Sequence, residues 1–192
     1  NKTVEELNEM EQRLYELYGD DTAVVELNCG HVERDIDELW KYTPEEKQYC
    51  KMFGKDIAIP RRMVTFGRTY NFNGSDDSVG ELEDFGYLSE CIVLGEPVSR
   101  YNSCVVNFYE DGNEYIGYHS DKINGMSENS TITISSFGAT RVLRFQHIES
   151  KQTFDIELPH GSRFEFTQET NKRYKHCIVK SKKIKGKRIS IT

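Results

Sequence analysis

The sequence predicts an α+β domain, a β-sandwich or jelly roll of short strands behind a helical front. Three observations carry this. Apolar residues recur at helical spacing only in the N-terminal part of the chain. From residue 63 onward the pattern changes to eight short β-rich runs separated by Gly, Asn, Asp and Pro. The length of 192 residues suits one substantial core and is short for two.

The front begins at 3–18, where Leu7, Met10, Leu14 and Leu17 share a helical face and Thr3 with Glu6 forms a capping box. Val24 to Leu27 is a candidate short strand. Val32 to Trp40 and Pro44 to Met52 are expected as helices, the second capped by Thr43 with Pro44 in its first turn. The β-rich runs then cover 63–66, 103–109, 131–136, 141–147, 153–158, 163–167, 176–180 and 188–191. Leu143 and Phe145 flank Arg144 as on a half-buried strand, while Ser135, Ser136, Phe137 and Gly138 read as strand and turn builders. Asn71 to Asp84 is polar and reads as a long mobile loop.

Composition excludes several classes. No apolar run reaches bilayer length and the N-terminus lacks a signal-peptide core, so a soluble intracellular protein, cytoplasmic or nuclear, is expected. The chain opens on Asn1 rather than Met, which suggests a processed or shortened piece. Cys29, Cys50, Cys91, Cys104 and Cys177 are odd in number and lack CxxC spacing, against both a disulfide framework and a zinc cluster. Phosphate-loop and dinucleotide fingerprints are absent, as is a nucleophile elbow. The net charge of −7 speaks against uniform attraction to nucleic acid. Between Lys172 and Arg188, however, stand nine Lys and Arg residues and no acidic one. That run is either a solvated face or a positive rim for a polyanion.

The chemistry-bearing feature is His119-Ser120-Asp121 with His176 downstream. Residues two apart on an extended segment point the same way. A second imidazole from a distant strand would then close one face of an octahedral metal, the 2-His-1-carboxylate arrangement that leaves positions open for a cosubstrate and O2. Taken alone, the HxD pair reads equally as an ordinary core or surface histidine near an acid. Its surroundings are more specific. CVVNFYEDGNEYIGYHSD from Cys104 to Asp121 resembles the iron-binding strand region of the AlkB branch of 2-oxoglutarate/Fe(II) dioxygenases. TISSFGATRVLR from Thr133 to Arg144, His160-Gly161-Ser162 and the final RISIT resemble further motifs of that family, in family order. PRRMVTFGRTYNFNG from Pro60 to Gly74 resembles its substrate-lid segment.

The resemblance implies a double-stranded β-helix (jelly-roll) core at about 101–192, a helical extension at about 1–60 and a substrate-recognition lid and loop at about 60–100, all one domain. It implies Fe(II) on His119, Asp121 and His176, and 2-oxoglutarate on Asn107, Tyr109 and Arg188, with O2 as second cosubstrate. Read singly, Asn107 is a strand-edge amide and Tyr109 a core ring. The family pattern has a second arginine six positions after Arg188, past Thr192, so the C-terminus is expected to be incomplete.

On the substrate side, Phe72 matches an aromatic that stacks a flipped base opposite His176. Tyr70 would line the pocket or approach the nucleic-acid backbone, and Asn73 would contact a base edge. Phe53 resembles a duplex-probing finger, or else packs a helix end. Arg61, Arg62 and Arg68 are phosphate contacts or plain surface charge. Two positions after Asp121, where repair enzymes commonly carry an acid, stands Ile123, which cannot favour a cationic base; Asp111 and Glu114 lie in the preceding loop. The expected activity is oxidative demethylation of N-alkylated bases in methylated DNA or RNA by a monomer without membrane contact. Alternatives are a protein or small-molecule hydroxylase on the same scaffold, or a catalytically weak nucleic-acid-binding module.

Overall fold

Strands with apolar residues on both faces must be covered on both sides, and that requirement organises the molecule. A computed structural model describes residues 35–52, 54–67, 79–80, 103–128 and 130–192. Helix α1 (Ile36–Trp40) precedes strands β1 (Tyr49–Met52), β2 (Lys55–Ala58), β3 (Arg62–Gly67), β4 (Val79–Gly80), β5 (Ser103–Tyr109) and β6 (Ile116–His119). There follow β7 (Thr131–Gly138), β8 (Arg141–His147), β9 (Thr153–Leu158), β10 (Ser162–Thr167), helix α2 (Gln168–Arg173), β11 (Tyr174–Ile178) and β12 (Arg188–Ile191). The major sheet has six strands in the order β10-β7-β12-β5-β3-β4, the minor sheet four in the order β6-β11-β8-β9, and β1-β2 form a separate pair. Every pairing is antiparallel except β3 with β4.

The sheets face one another as a jelly roll. Tyr109, Ile132, Ile134, Phe164 and Phe166 from the major sheet meet Leu143, Phe145, Ile156, Leu158, Tyr174 and Ile178 from the minor one. Alternate residues of the same strands point the other way. Phe66, Cys104, Val106, Phe108, Phe137, Ile189 and Ile191 pack beneath Leu39 of α1, flanked by Ile36, Trp40 and Tyr42. The major sheet is therefore buried on both faces. The minor sheet alternates more openly, and on β8 Leu143 and Phe145 are buried while Arg144 binds Asp155 through two hydrogen bonds of 2.6 Å. No helix among the described residues is long and apolar enough to cross a membrane.

Expected and observed elements differ in places. The helix expected over Pro44 to Met52 is absent: Tyr49–Met52 pairs with Lys55–Ala58, and Gly54 at φ 74° supports the sharp reversal. A cap signal at Thr43-Pro44 was overridden by the turn. Of Val32 to Trp40, the described part is helical only from Ile36, after Asp35, whose carboxylate accepts from the Asp37 N–H at 2.9 Å. Arg62–Gly67 is a strand inside the major sheet, as the β-rich run at 63–66 predicts, although the resemblance also places this stretch in the lid. Within the expected loop Asn71 to Asp84, Val79–Gly80 pairs with Thr65 and Phe66. The run at 176–180 instead spans Tyr174–Ile178. Residues 3–18 and 24–27 lie outside the described residues.

Gly138 ends β7 at φ 89°, where an added Cβ would lie 2.3 Å from both the Ile36 side chain and the Lys187 carbonyl oxygen. Gly138→Ala is expected to cost about 3 kcal/mol in urea unfolding, combining left-handed strain with the clash. Gly117→Ala, where nothing lies within 4 Å of the added carbon, is expected to cost less than about 1 kcal/mol.

Candidate metal centre and its cleft

Strand register assembles the centre. β6 and β11 pair so that His119 lies directly across from His176, with ring centroids 4.3 Å apart. Asp121 follows two residues past the end of β6 and turns its carboxylate between the rings. Its Oδ1 is 3.4 Å from His119 Nε2 and its Oδ2 is 3.5 Å from His176 Nε2. One ligand atom from each of the three side chains lies within 4.8 Å of the others, and no second such group occurs among the described residues.

The protonation pattern suits a cation. His119 Nδ1 is 2.9 Å from the Gly117 carbonyl oxygen, to which it donates, so Nε2 is the nitrogen left to face Asp121 and a metal. Burial pushes His176 down to about 4, against the pull of Asp121 and with the help of His119, so its ring is neutral at physiological pH. Burial pushes the Asp121 carboxyl up, but the His119 hydrogen bond and the neighbouring imidazoles outweigh it, and the group stays ionised. Asp121 Oδ2 is buried without a hydrogen-bond partner. An ionised oxygen beside two imidazole nitrogens, with no donor reaching it, fits a divalent ion better than any arrangement of these side chains alone. Phe145 and Phe166, with centroids 5.5 and 5.3 Å from the His176 ring, hold that ring from the core side.

A cleft of about 570 Å³, counting its open mouth, runs inward from the three ligands between the sheets. Ile116, Ile134, Leu143 and Ile178 line it with apolar surface, and Asn107, Tyr109, Arg61 and Ser190 supply polar groups. Arg188 sits deeper, opposite Tyr109 in the β5–β12 register, with its guanidinium carbon 5.2 Å from the centre of that ring. It is fully buried. Its Nε donates to Ser136 Oγ at 2.9 Å, whereas Nη1 and Nη2 are buried without partners. Burial draws it down to about 10, Tyr109 opposing and Arg141 adding to the fall, so the fork is still cationic at neutral pH. Arg141, whose guanidinium carbon is 5.4 Å from the centre of the same Tyr109 ring, differs: its Nη groups donate to the carbonyls of Asp111, Glu114 and Val179 at 2.8–3.2 Å. A planar cation with two donor nitrogens lacking partners, set behind the cleft against Tyr109, is suited to a carboxylate.

The structure thus gathers His119, Asp121, His176, Asn107 and Tyr109 around one cleft and sets Arg188 behind it. Arg61 departs from expectation. As a phosphate contact it should lie on the surface, but it is 4% exposed, lines the cleft and donates from Nε to Asn107 Oδ1 at 2.6 Å. Arg62 is half-buried and paired with Glu110. Asp111 accepts from Asn113, and Glu114 pairs with Lys47 and accepts from the Glu110 N–H, so neither turns toward the cleft. Ile123 packs half-buried against the inter-sheet core. Phe53, Arg68, Tyr70, Phe72 and Asn73 lie outside the described residues. Ser136, read as a strand builder, is also the acceptor that orients Arg188; a lone serine in a strand carries no signal of that role.

The 2OG-Fe(II) oxygenase superfamily matches the chain over residues 5–192. The DNA oxidative demethylase ALKBH2 of Bos taurus is 28% identical, covering 86% of this chain and 68% of its own. The human protein of the same name is 27% identical, covering 86% and 72%. The protein R406 of Acanthamoeba polyphaga mimivirus is 33% identical over 81% of this chain and 84% of its own. Among solved structures, OsALKBH1 aligns over 98% of this chain and 92% of its own with a TM-score of 0.46 and 15% identity, too distant a likeness to carry an argument. The chain belongs to the 2OG-Fe(II) oxygenase superfamily, in its AlkB-like branch, and is a dioxygenase dependent on Fe(II), 2-oxoglutarate and O2.

Proposed function

We propose that this chain oxidatively demethylates N-alkylated bases, in DNA ahead of RNA, with His119, Asp121 and His176 as the iron ligands. The observation that carries the ligand assignment is the convergence of three donor atoms within 4.8 Å beside a buried, unpartnered carboxylate oxygen. DNA is placed first because relatives named DNA oxidative demethylase align over 86% of the chain. Asn107, Tyr109 and Arg188 hold 2-oxoglutarate, the guanidinium fork taking its distal carboxylate. Arg61 orients Asn107 by donating to its amide oxygen.

When bound, Fe(II) with 2-oxoglutarate and O2 supplies the oxidant, one oxygen atom leaving in succinate and the other entering the N-methyl C–H bond. The resulting hemiaminal breaks its N–C bond, releasing formaldehyde and returning a proton to the base nitrogen. The residues of this chain position and shield. Ile134, Leu143 and Ile178 exclude water from the inner wall, and Phe145 with Phe166 fixes the His176 ring. A base must leave its stack to reach ligands at such a cleft. Phe72 is assigned to stack it, Tyr70 and Asn73 to contact its surroundings, and Phe53 to probe the duplex. Ile123 brings no carboxylate to a cationic base.

The test is anaerobic loading with Fe(II) and 2-oxoglutarate, then exposure to O2 with a mixed panel of methylated DNA and RNA oligonucleotides. Mass spectrometry is expected to find oligonucleotides lighter by one CH2, with succinate and formaldehyde formed in equal amounts. Succinate without any change in the oligonucleotides would overturn the base-demethylation reading and favour a protein or small-molecule substrate.

A further inference from the structure

We infer that Asn171 is a positioning residue for the metal centre, its side-chain amide serving as the strand partner that Asp121 otherwise lacks. β6 ends at His119, its pairing with β11 closing at His119 opposite His176. Past that point the backbone of Asp121 has left the sheet. Asn171, 3% exposed on α2, supplies both missing bonds. The Asp121 N–H donates to Asn171 Oδ1 at 2.8 Å, and Asn171 Nδ2 donates to the Asp121 carbonyl at 2.8 Å. One primary amide thus copies the donor–acceptor pair of an antiparallel neighbour.

The location of Asn171 gives this consequence. It lies five residues before His176 on the segment that becomes β11, with Ser120 Oγ donating to the Tyr174 carbonyl between them at 3.1 Å. His119 is tied to His176 by strand pairing, and Asp121 is tied to the same segment by Asn171. The three ligands therefore share one frame before any metal arrives. Without the clamp, nothing would hold the backbone of Asp121 in place beyond the last β6–β11 pair, and its carboxylate would have no fixed position facing the two imidazoles. Gln168, one turn earlier on α2, binds the same loop farther out, donating from Nε2 to the Ser127 and Ser130 carbonyls at 2.8 and 3.2 Å. It touches no ligand and serves as the matched control.

This inference rests on the ligand assignment proposed above. Asn171→Asp keeps the acceptor and turns the donor into a second acceptor facing a carbonyl. It is expected to weaken Mn(II) binding, measured by calorimetry or EPR, about 10- to 100-fold, the usual effect of losing a group that orients a ligand. It is also expected to raise the ratio of succinate to demethylated product while leaving the KM for 2-oxoglutarate unchanged. Gln168→Ala is expected to lower the melting temperature yet keep Mn(II) affinity within about twofold. Wild-type affinity and coupling in Asn171→Asp would overturn the positioning role. If Asp121→Ala, run alongside, also bound Mn(II) normally, the ligand assignment itself would fall. A measurement independent of folding of the variant is amide hydrogen exchange in the metal-free wild-type protein. The Asp121 N–H is expected to be protected, and exchange at the rate of an open loop would sink the proposal by itself.

Discussion

Asp121→Ala is expected to remove metal binding and to reduce succinate formation by about three orders of magnitude or more, while barely changing the stability of the metal-free protein. The two effects separate because the side chain and the backbone of Asp121 do different things. The backbone makes both bonds to Asn171, and alanine keeps them. The carboxylate makes none that buries its Oδ2 with a donor. Unfolding of the metal-free variant is therefore expected within about 1 kcal/mol of wild type. Metal changes the comparison. At a free concentration about 100-fold above the dissociation constant, binding stabilises the folded state by about 2.7 kcal/mol. For a chain of this size that raises the melting temperature by roughly 5–10 °C. Wild type should show this rise with Mn(II) and the variant should not, which calorimetric unfolding with and without metal will read. A variant still stabilised by Mn(II) would exclude Asp121 as a ligand.

Arg188→Met is expected to raise the 2-oxoglutarate requirement steeply and to leave the cosubstrate-free protein as stable as before, or more so. Loss of one partner from a buried, hydrogen-bonded charge pair costs about 2–4 kcal/mol, which is roughly 30- to 700-fold in affinity. The stability effect has the opposite sign for a clear reason. Burial lowers Arg188 to about 10, so the folded state disfavours the charged form. Both folded and unfolded chains carry that charge below about 10, and the folded chain bears the cost over that whole range; it fades only as pH rises through that value. An apolar side chain of similar length removes the cost and gives up one hydrogen bond to Ser136. Arg188→Lys should not rescue binding, because an ammonium cannot present two parallel donors. Calorimetric titration of the Mn(II)-loaded protein with 2-oxoglutarate under anaerobic conditions, together with urea unfolding, checks both halves. An unchanged affinity for 2-oxoglutarate would show that the distal carboxylate is held elsewhere.

Several strands were legible because their periodicity is local. β5, β8, β9 and β12 span the residues that alternation and turn punctuation mark out. β6 was not, since four residues containing Gly117 carry no alternation, and α2 was not, since six residues are too few for a helical period. The β1–β2 pair defeated a helix-start signal because Thr43-Pro44 describes only the entry to a segment, whereas the partner strand decides what it becomes.

Chain order alone determined which side chains could build the centre, since HxD spacing puts an imidazole and a carboxylate on one side and a lone histidine stands downstream. It also determined that the back half would be strands. Only the tertiary structure decided that His176 lies across from His119, that Arg61 turns inward to Asn107, and that Asn171 closes the backbone behind Asp121. These are matters of register and depth. A shift of one residue in pairing reverses every side chain on a strand, and that choice is made by burial across the whole sheet rather than by neighbours in the chain.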